Sequence, residues 1–181
     1  AATIVALVSI GLGTNLGDRE GNLRSACGQV SEQKQITTLQ ASRVYQTPPL
    51  GPPDQPDYLN AAMLVETSLH PEQLLVLIKA IESNMGRITR RRWGERIIDL
   101  DILLYGDGAF DLPGLTIPHK GIAQRPFVIE PLIDLHGIAH EVPGVGDLAT
   151  LRSRLSDAQI SLFSCAPLSD NPSNPARSTS D

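Results

Sequence analysis

Ile97-Ile98-Asp99-Leu100-Asp101-Ile102-Leu103-Leu104-Tyr105 is the stretch on which the reading of this chain turns. Its aliphatic residues predict a buried central strand over 97–105, and two aspartates interrupt it. Side chains alternate along a strand, so Asp99 and Asp101 share one face, with Cα atoms ~6.6 Å apart. Two carboxylates at that separation repel by roughly 2.5 kcal/mol at an effective dielectric of ~20. Their aliphatic neighbours also exclude water, so the pair needs a cationic partner, either arginine or metal. Oxygen ligands on a rigid strand suit Mg2+, with phosphate oxygens completing its octahedron.

Immediately upstream runs Arg87-Ile88-Thr89-Arg90-Arg91-Arg92-Trp93-Gly94-Glu95-Arg96, which holds five arginines. Guanidinium forks match phosphate oxygens in pairs. Cations for phosphate beside carboxylates for Mg2+ make the combination that phosphoryl-type transfer needs. The competing reading is a surface ion-pair network in which the arginines only neutralise the aspartates. The adjoining tryptophan, the single one in the chain, favours a ligand site.

Outward from this centre the chain alternates strands and helices. Thr3 through Ile10 reads as a strand buried on both faces. Gly11-Leu12-Gly13-Thr14-Asn15-Leu16-Gly17 then reads as a tight turn with close backbone packing. Its glycine spacing is not that of a dinucleotide or Walker loop, and no Lys-Ser/Thr follows. Asp18 is the expected N-cap of a helix carrying Leu23, Ala26, Cys27 and Val30 on one face. A second strand is predicted over 36–45. It leads into Thr47-Pro48-Pro49-Leu50-Gly51-Pro52-Pro53-Asp54-Gln55-Pro56-Asp57, whose prolines make a stiff connection suited to clasping a ligand. A third strand follows over 58–67, with Tyr58 and Asn60 on one face of its start. A helix over 71–85 begins on Pro71 and ends at Gly86, with Glu82 beside Lys79 and Ile78. Leu115 to His119 reads as short and extended. Arg125 to Leu132 reads as apolar, with Arg125 and Phe127 on the same side if extended. His136 and His140 read as solvated loop histidines. Leu148, Leu151 and Leu155 predict a last short helix.

The order β-α-β-β-α-β predicts an α+β ferredoxin-like domain, a mainly antiparallel sheet with helices packed on it. The chain of 181 residues is expected to form one domain over 1–164 and a low-complexity tail over 165–181 without a core of its own. Aromatics are 4% of the residues, so each ring is a candidate ligand contact. A net charge of −5, with the basic residues concentrated in one loop, argues against nucleic acid as a partner. The apolar run through Ile10 is too short to span a bilayer and follows no positively charged leader, so no membrane association is expected. Two cysteines, in no metal-binding spacing, point to a reducing cytoplasm.

Several separated segments carry a resemblance. The glycine-rich segment from Gly11, Tyr45-Gln46-Thr47-Pro48-Pro49-Leu50-Gly51, Asp54-Gln55-Pro56-Asp57-Tyr58-Leu59-Asn60 and Arg92-Trp93-Gly94-Glu95-Arg96-Ile97-Ile98-Asp99-Leu100-Asp101-Ile102 are similar to the 6-hydroxymethyl-7,8-dihydropterin pyrophosphokinases of folate biosynthesis. Pro118-His119 and Arg125-Pro126-Phe127 complete the pattern, with the aspartate motif its most specific part. The resemblance implies transfer of the β,γ-pyrophosphoryl group of ATP to the pterin hydroxymethyl, with release of AMP. It implies two Mg2+ ions on Asp99 and Asp101, and catalytic stabilisation of the moving group by Arg87 and Arg96. ATP contacts would come from Glu82, Arg90, Arg91, Arg92, Ile102, Thr116, His119 and Arg125. Tyr58 and Phe127 would sandwich the pterin, Asn60 would bond its edge, Thr47, Pro48 and Leu50 would supply contacts, and Trp93 would close over it. Lys79 and Lys120 depart from the family's expected residues. The partners implied are these two small molecules, acting on a monomer. The rival from another class is a nucleotide-binding domain without turnover.

Trp93 is the one aromatic residue of 88–95, its arginines repel one another, and Gly86 and Gly94 bracket it. This segment is expected to close over bound substrates. Trypsin should cut it quickly in the free protein and slowly with Mg2+, a non-hydrolysable ATP analogue and pterin together; equal cutting rates would rule closure out.

Overall fold

The computed structural model describes residues 3–49, 51–86, 96–155, 158–165 and 168. Leu50 and residues 87–95, with Arg87, Arg90, Arg91, Arg92 and Trp93, lie outside them.

The elements follow in the order β1 (Ala6–Thr14), α1 (Arg19–Ser31), β2 (Ile36–Ala41), β3 (Val44–Thr47), β4 (Tyr58–Thr67), α2 (Pro71–Asn84) and β5 (Asp99–Tyr105). Then come the hairpin of β6 (Phe110–Leu112) and β7 (Leu115–Ile117), a 3-10 turn at Ile122–Gln124, and α3 (Pro126–His136). A second small hairpin, β8 (Glu141–Val142) and β9 (Gly146–Asp147), precedes α4 (Leu148–Arg154) and β10 (Ser161–Ser164). The main sheet runs β10-β3-β4-β1-β5, with β2 also on β4, and its neighbours are antiparallel. This is the predicted ferredoxin-like arrangement. Among the described residues no helix is long and apolar enough to cross a membrane.

The helices start where the sequence chemistry allows. Asp18 accepts from the Gly21 N–H at 3.1 Å and caps α1. Pro71 opens α2, where its missing N–H costs nothing, and Gly86 ends that region at φ +82°. One apolar cluster joins α1, α2 and one sheet face through Val8, Ile10, Leu12, Leu23, Leu74 and Ile78. The other face carries a second cluster in which Ile129, Leu132, Leu148 and Leu151 pack against Ala62, Leu103 and Leu104.

Several expectations change. Gly11 and Gly13 lie inside β1, not in a turn, and the start of the predicted first strand is open, with Ile4 89% and Leu7 48% exposed. The predicted strand over 36–45 is broken at Ser42. Its hydroxyl accepts from the Ala62 N–H at 2.8 Å, and its own N–H donates to the Ala62 carbonyl. The strand over 97–105 is not central: among the described residues β5 pairs with β1 alone. Leu100 and Ile102 are buried because α2 covers them. Residues 126–136 form a helix. Pro126 sits at its first position, and Val128, Ile129, Leu132 and Leu135 bury one face, which outweighs the backbone bond that Pro131 withholds. β10 extends the sheet unannounced by the sequence, and Leu168, in the expected tail, is buried in the first cluster. The Ile117–Pro118 peptide is cis.

His136 is not a loop residue. It ends α3, shares a 2.5 Å hydrogen bond with the buried Ser9 hydroxyl and stacks on His140 at 4.4 Å. Burial first, and the neighbouring His140 second, pull His136 down to about 4. An unfolded histidine titrates near 6.5, so between these values the unfolded chain binds the extra proton. This contribution to stability is complete above about pH 6.5 and is lost as the pH falls toward 4, amounting to at most about 3 kcal/mol. Urea denaturation from pH 7 to 4 should show that loss, and His136→Gln should flatten the profile; a variant with the wild-type slope would assign the loss elsewhere.

Candidate active site

One end of the main sheet gathers the predicted residues. The register sets Gly11 opposite Asp101 and Gly13 opposite Asp99 on one side of β1, and Gly13 opposite Asn60 on the other. Paired residues of antiparallel strands face the same way, so the two glycines form a bare strip between the carboxylates and the Asn60 amide. A Cβ on Gly11 would stand 3.2 Å from Leu103, and one on Gly13 would stand 3.3 Å from Asn60 Oδ1. Glycine here serves close approach rather than a turn. The cleft above this strip is lined by Tyr58, Asn60, Asp99, Asp101, Arg125 and Phe127, with Thr47, Pro48, Arg96 and His119 at its margins.

A second hollow adjoins it and shares Asp101 and His119. Lys79, Ile102, Thr116 and Lys120 line it. Asp101 therefore stands at the junction of a half that holds Tyr58 and Phe127 and a half that holds Lys79 and Lys120. Lys79 Nζ lies 3.7 Å from Asp101 Oδ1, His119 Nε2 3.9 Å from Asp101 Oδ2, and Arg96 Nη1 3.6 Å from Asp99 Oδ1. The cationic partners that the carboxylates required are in place.

Glu82 is 1% exposed and lines neither hollow. It accepts from the Leu100 N–H at 2.6 Å and from Lys79 Nζ at 3.0 Å, and Lys79 also donates to the Leu100 carbonyl at 2.7 Å. Burial pushes the Glu82 carboxyl up, opposed by the Leu100 N–H and by Lys79. Glu82 thus ties Lys79 to β5. His119 accepts on Nδ1 from the Gly121 N–H at 3.0 Å, which leaves its neutral-form proton on Nε2, toward Asp101. Burial pushes His119 down, against the upward pull of Asp101.

Asn60 donates to the Thr47 hydroxyl at 2.9 Å, which orients the amide over Gly13. The proline-rich connection is tied down at its far end. Asn15 Nδ2 donates to Gln55 Oε1 and to the Pro56 carbonyl at 3.0 Å each, Arg19 holds the Asp57 carbonyl, and Gln46 holds the Asp57 carboxylate. Asn15 also receives the Arg96 N–H on Oδ1 at 2.8 Å and donates its own N–H to the Arg96 carbonyl. The sequence reading gave Asn15 and Gln55 no role. The available signal was an amide within an apolar, glycine-rich segment, which can be buried only with its hydrogen bonds satisfied.

Comparison with known proteins agrees with this geometry. Residues 9–137 match the family model described as 7,8-dihydro-6-hydroxymethylpterin-pyrophosphokinase (HPPK). The chain is 44% identical over 126 residues to the 2-amino-4-hydroxy-6-hydroxymethyldihydropteridine pyrophosphokinase of Haemophilus influenzae, covering 70% of this chain and 79% of that one. The Bacillus subtilis protein of the same name is 40% identical over 126 residues, covering 70% and 75%. The mitochondrial folate synthesis bifunctional protein of Pisum sativum is 45% identical over 132 residues, which cover 73% of this chain and 25% of that one. Among solved structures, wild-type Plasmodium falciparum HPPK-DHPS with pteroate superposes with a TM-score of 0.66 at 17% identity, over 87% of this chain and 44% of that one. This chain thus spans less than half of that protein, and the likeness is one of fold.

Asn15 is 0% exposed and links β1 to both flanking segments. Asn15→Ala should cost on the order of 3 kcal/mol, because it removes together the hydrogen bonds of the buried amide to Gln55, the Pro56 carbonyl and the Arg96 N–H. Urea denaturation measures this; a loss below about 0.5 kcal/mol, the range of an ordinary surface substitution, would mean that the amide is not the clamp.

Proposed function

Because the chain belongs to the 7,8-dihydro-6-hydroxymethylpterin-pyrophosphokinase family and is a pyrophosphokinase of folate biosynthesis, we propose that it moves the β,γ-pyrophosphoryl group of ATP to 6-hydroxymethyl-7,8-dihydropterin. The observation that carries this reading is the pair of hollows joined at Asp101, one lined by Tyr58, Phe127, Arg96 and Arg125 and the other by Lys79 and Lys120. The hydroxymethyl oxygen attacks the β-phosphorus, the bridge between α- and β-phosphorus breaks, AMP leaves, and the hydroxyl proton is released. Action of the chain as a monomer is what the resemblance implies. Its thiols, Cys27 and Cys165, are free, which suits the cytoplasm.

Mg2+ fits the donor set. Asp99 and Asp101 offer carboxylate oxygens on one wall, and a magnesium site of one or two carboxylates takes its other ligands from substrate phosphate and water. When bound, two Mg2+ ions would neutralise charge on the triphosphate. The remaining work falls to the chain's own side chains. Tyr58 and Phe127 flank a planar ring, and Asn60, oriented by Thr47, bonds its edge. Pro48 shapes the cleft margin. Arg96 and Arg125 meet phosphate, His119 donates to it from Nε2, and Lys79 and Lys120 add charge. Ile102 and Thr116 wall the nucleotide side. Arg87, Arg90, Arg91, Arg92, Trp93 and Leu50 keep the roles that the resemblance implies.

The deciding measurement is AMP release with and without the pterin. AMP formed only with pterin supports the transferase, and ATP binding without AMP would support a non-catalytic domain. Asp101→Ala should lower turnover by more than about a thousandfold, since it unanchors metal and triphosphate together. The ligand-free melting temperature should hold, because Asp101 is partly exposed. Near-wild-type turnover in saturating Mg2+ would remove Asp101 from the site.

A further inference from the structure

We propose that Gly121 is a positioning residue for Arg125: its missing side chain leaves the space in which the Arg125 stem lies, and so sets where that cation meets the cleft. Gly121 has φ −89° and ψ −3°, the conformation of the third residue of a type I turn closed by the Ile122 N–H on the His119 carbonyl, which most residues adopt. The backbone therefore does not require glycine here, but the packing does. A Cβ at Gly121 would stand 2.7 Å from Arg125 Nε, 2.9 Å from Cδ and 3.0 Å from Cζ. All three are side-chain atoms, so an added methyl displaces the guanidinium rather than the main chain. On its other side, Arg125 Cζ lies 5.9 Å from the Phe127 ring centroid, within cation–π range. The guanidinium is thus held between a bare main-chain turn and an aromatic ring. The same glycine donates its N–H to His119 Nδ1 at 3.0 Å. One residue without a side chain governs two polar groups of the cleft, by different means.

The inference rests on the reading of Arg125 as a contact to the nucleotide phosphates. It is tested with Gly121→Ala, Arg125→Ala and the double variant, by calorimetry with a non-hydrolysable ATP analogue and by steady-state kinetics. Arg125→Ala should weaken analogue binding about tenfold or more, as loss of a charge-assisted contact does. Gly121→Ala should weaken it about threefold to tenfold, raise the KM for ATP more than it lowers kcat, and leave the melting temperature unchanged. In the Arg125→Ala background the glycine substitution should have no further effect, because the group it displaces is gone. Unchanged affinity in Arg125→Ala would overturn the phosphate reading of Arg125 itself. Weakened binding in Arg125→Ala with none in Gly121→Ala, or additive effects in the double variant, would overturn the positioning role. So would a Gly121→Ala protein that fails to fold, since the glycine would then serve the backbone.

Discussion

The site depends on how the open edge of β5 is closed. This strand pairs with β1 alone among the described residues, so its other edge would present unpaired amide groups. At Leu100 both are answered by side chains of α2: Glu82 takes the N–H and Lys79 takes the carbonyl. The ion pair replaces a neighbouring strand for one residue. A buried carboxylate is tolerable here because it has a short backbone hydrogen bond and an ammonium at 3.0 Å. Asp99 and Asp101 flank Leu100, so the pair that anchors the backbone also fixes the spacing and direction of the carboxylates. Where another strand would have covered them, the hollows lie open.

A second constraint works from the opposite flank. The Asn15 side chain joins the proline-rich connection to the backbone of Arg96, so two segments far apart in sequence share one buried amide. Rigid prolines, an anchored far end and a fixed Arg96 leave few degrees of freedom to be lost when a ligand settles. The sheet supplies the floor, the capped edge supplies the acidic wall, and Asn15 holds the two segments beside them.

The sequence made much of this legible, and its failures have physical causes. Aliphatic alternation and helix-end chemistry identified β4, α1 and α2, and their order implied the antiparallel ferredoxin-like sheet. Periodicity could not separate edge from centre in β5, because burial by α2 and burial by a neighbouring strand leave the same aliphatic pattern. Gly11 and Gly13 suggested a turn because glycine is depleted in strands, while their reason is proximity to Leu103 and Asn60. Residues 125–132 read as an apolar run, extended rather than helical, whereas Pro126 occupies the one helical position that welcomes it. The carboxylates and rings were singled out by their chemistry and scarcity and Arg125 by resemblance, and all of them line the first cleft. Asn15, Gln55 and Gly121 were passed over because their work is to hold other groups, which becomes visible only in three dimensions.

The glycine strip in β1 bears on inhibition. A molecule resting on Gly11 and Gly13 is recognised there by main-chain atoms, which amino-acid replacement does not alter. Any side chain introduced to dislodge it would press on Leu103 or Asn60 and fill the space that the natural ligand needs. Resistance by substitution at the floor would therefore narrow the cleft itself, whereas an inhibitor gripping the exposed arm of Lys120 would meet a group that can change.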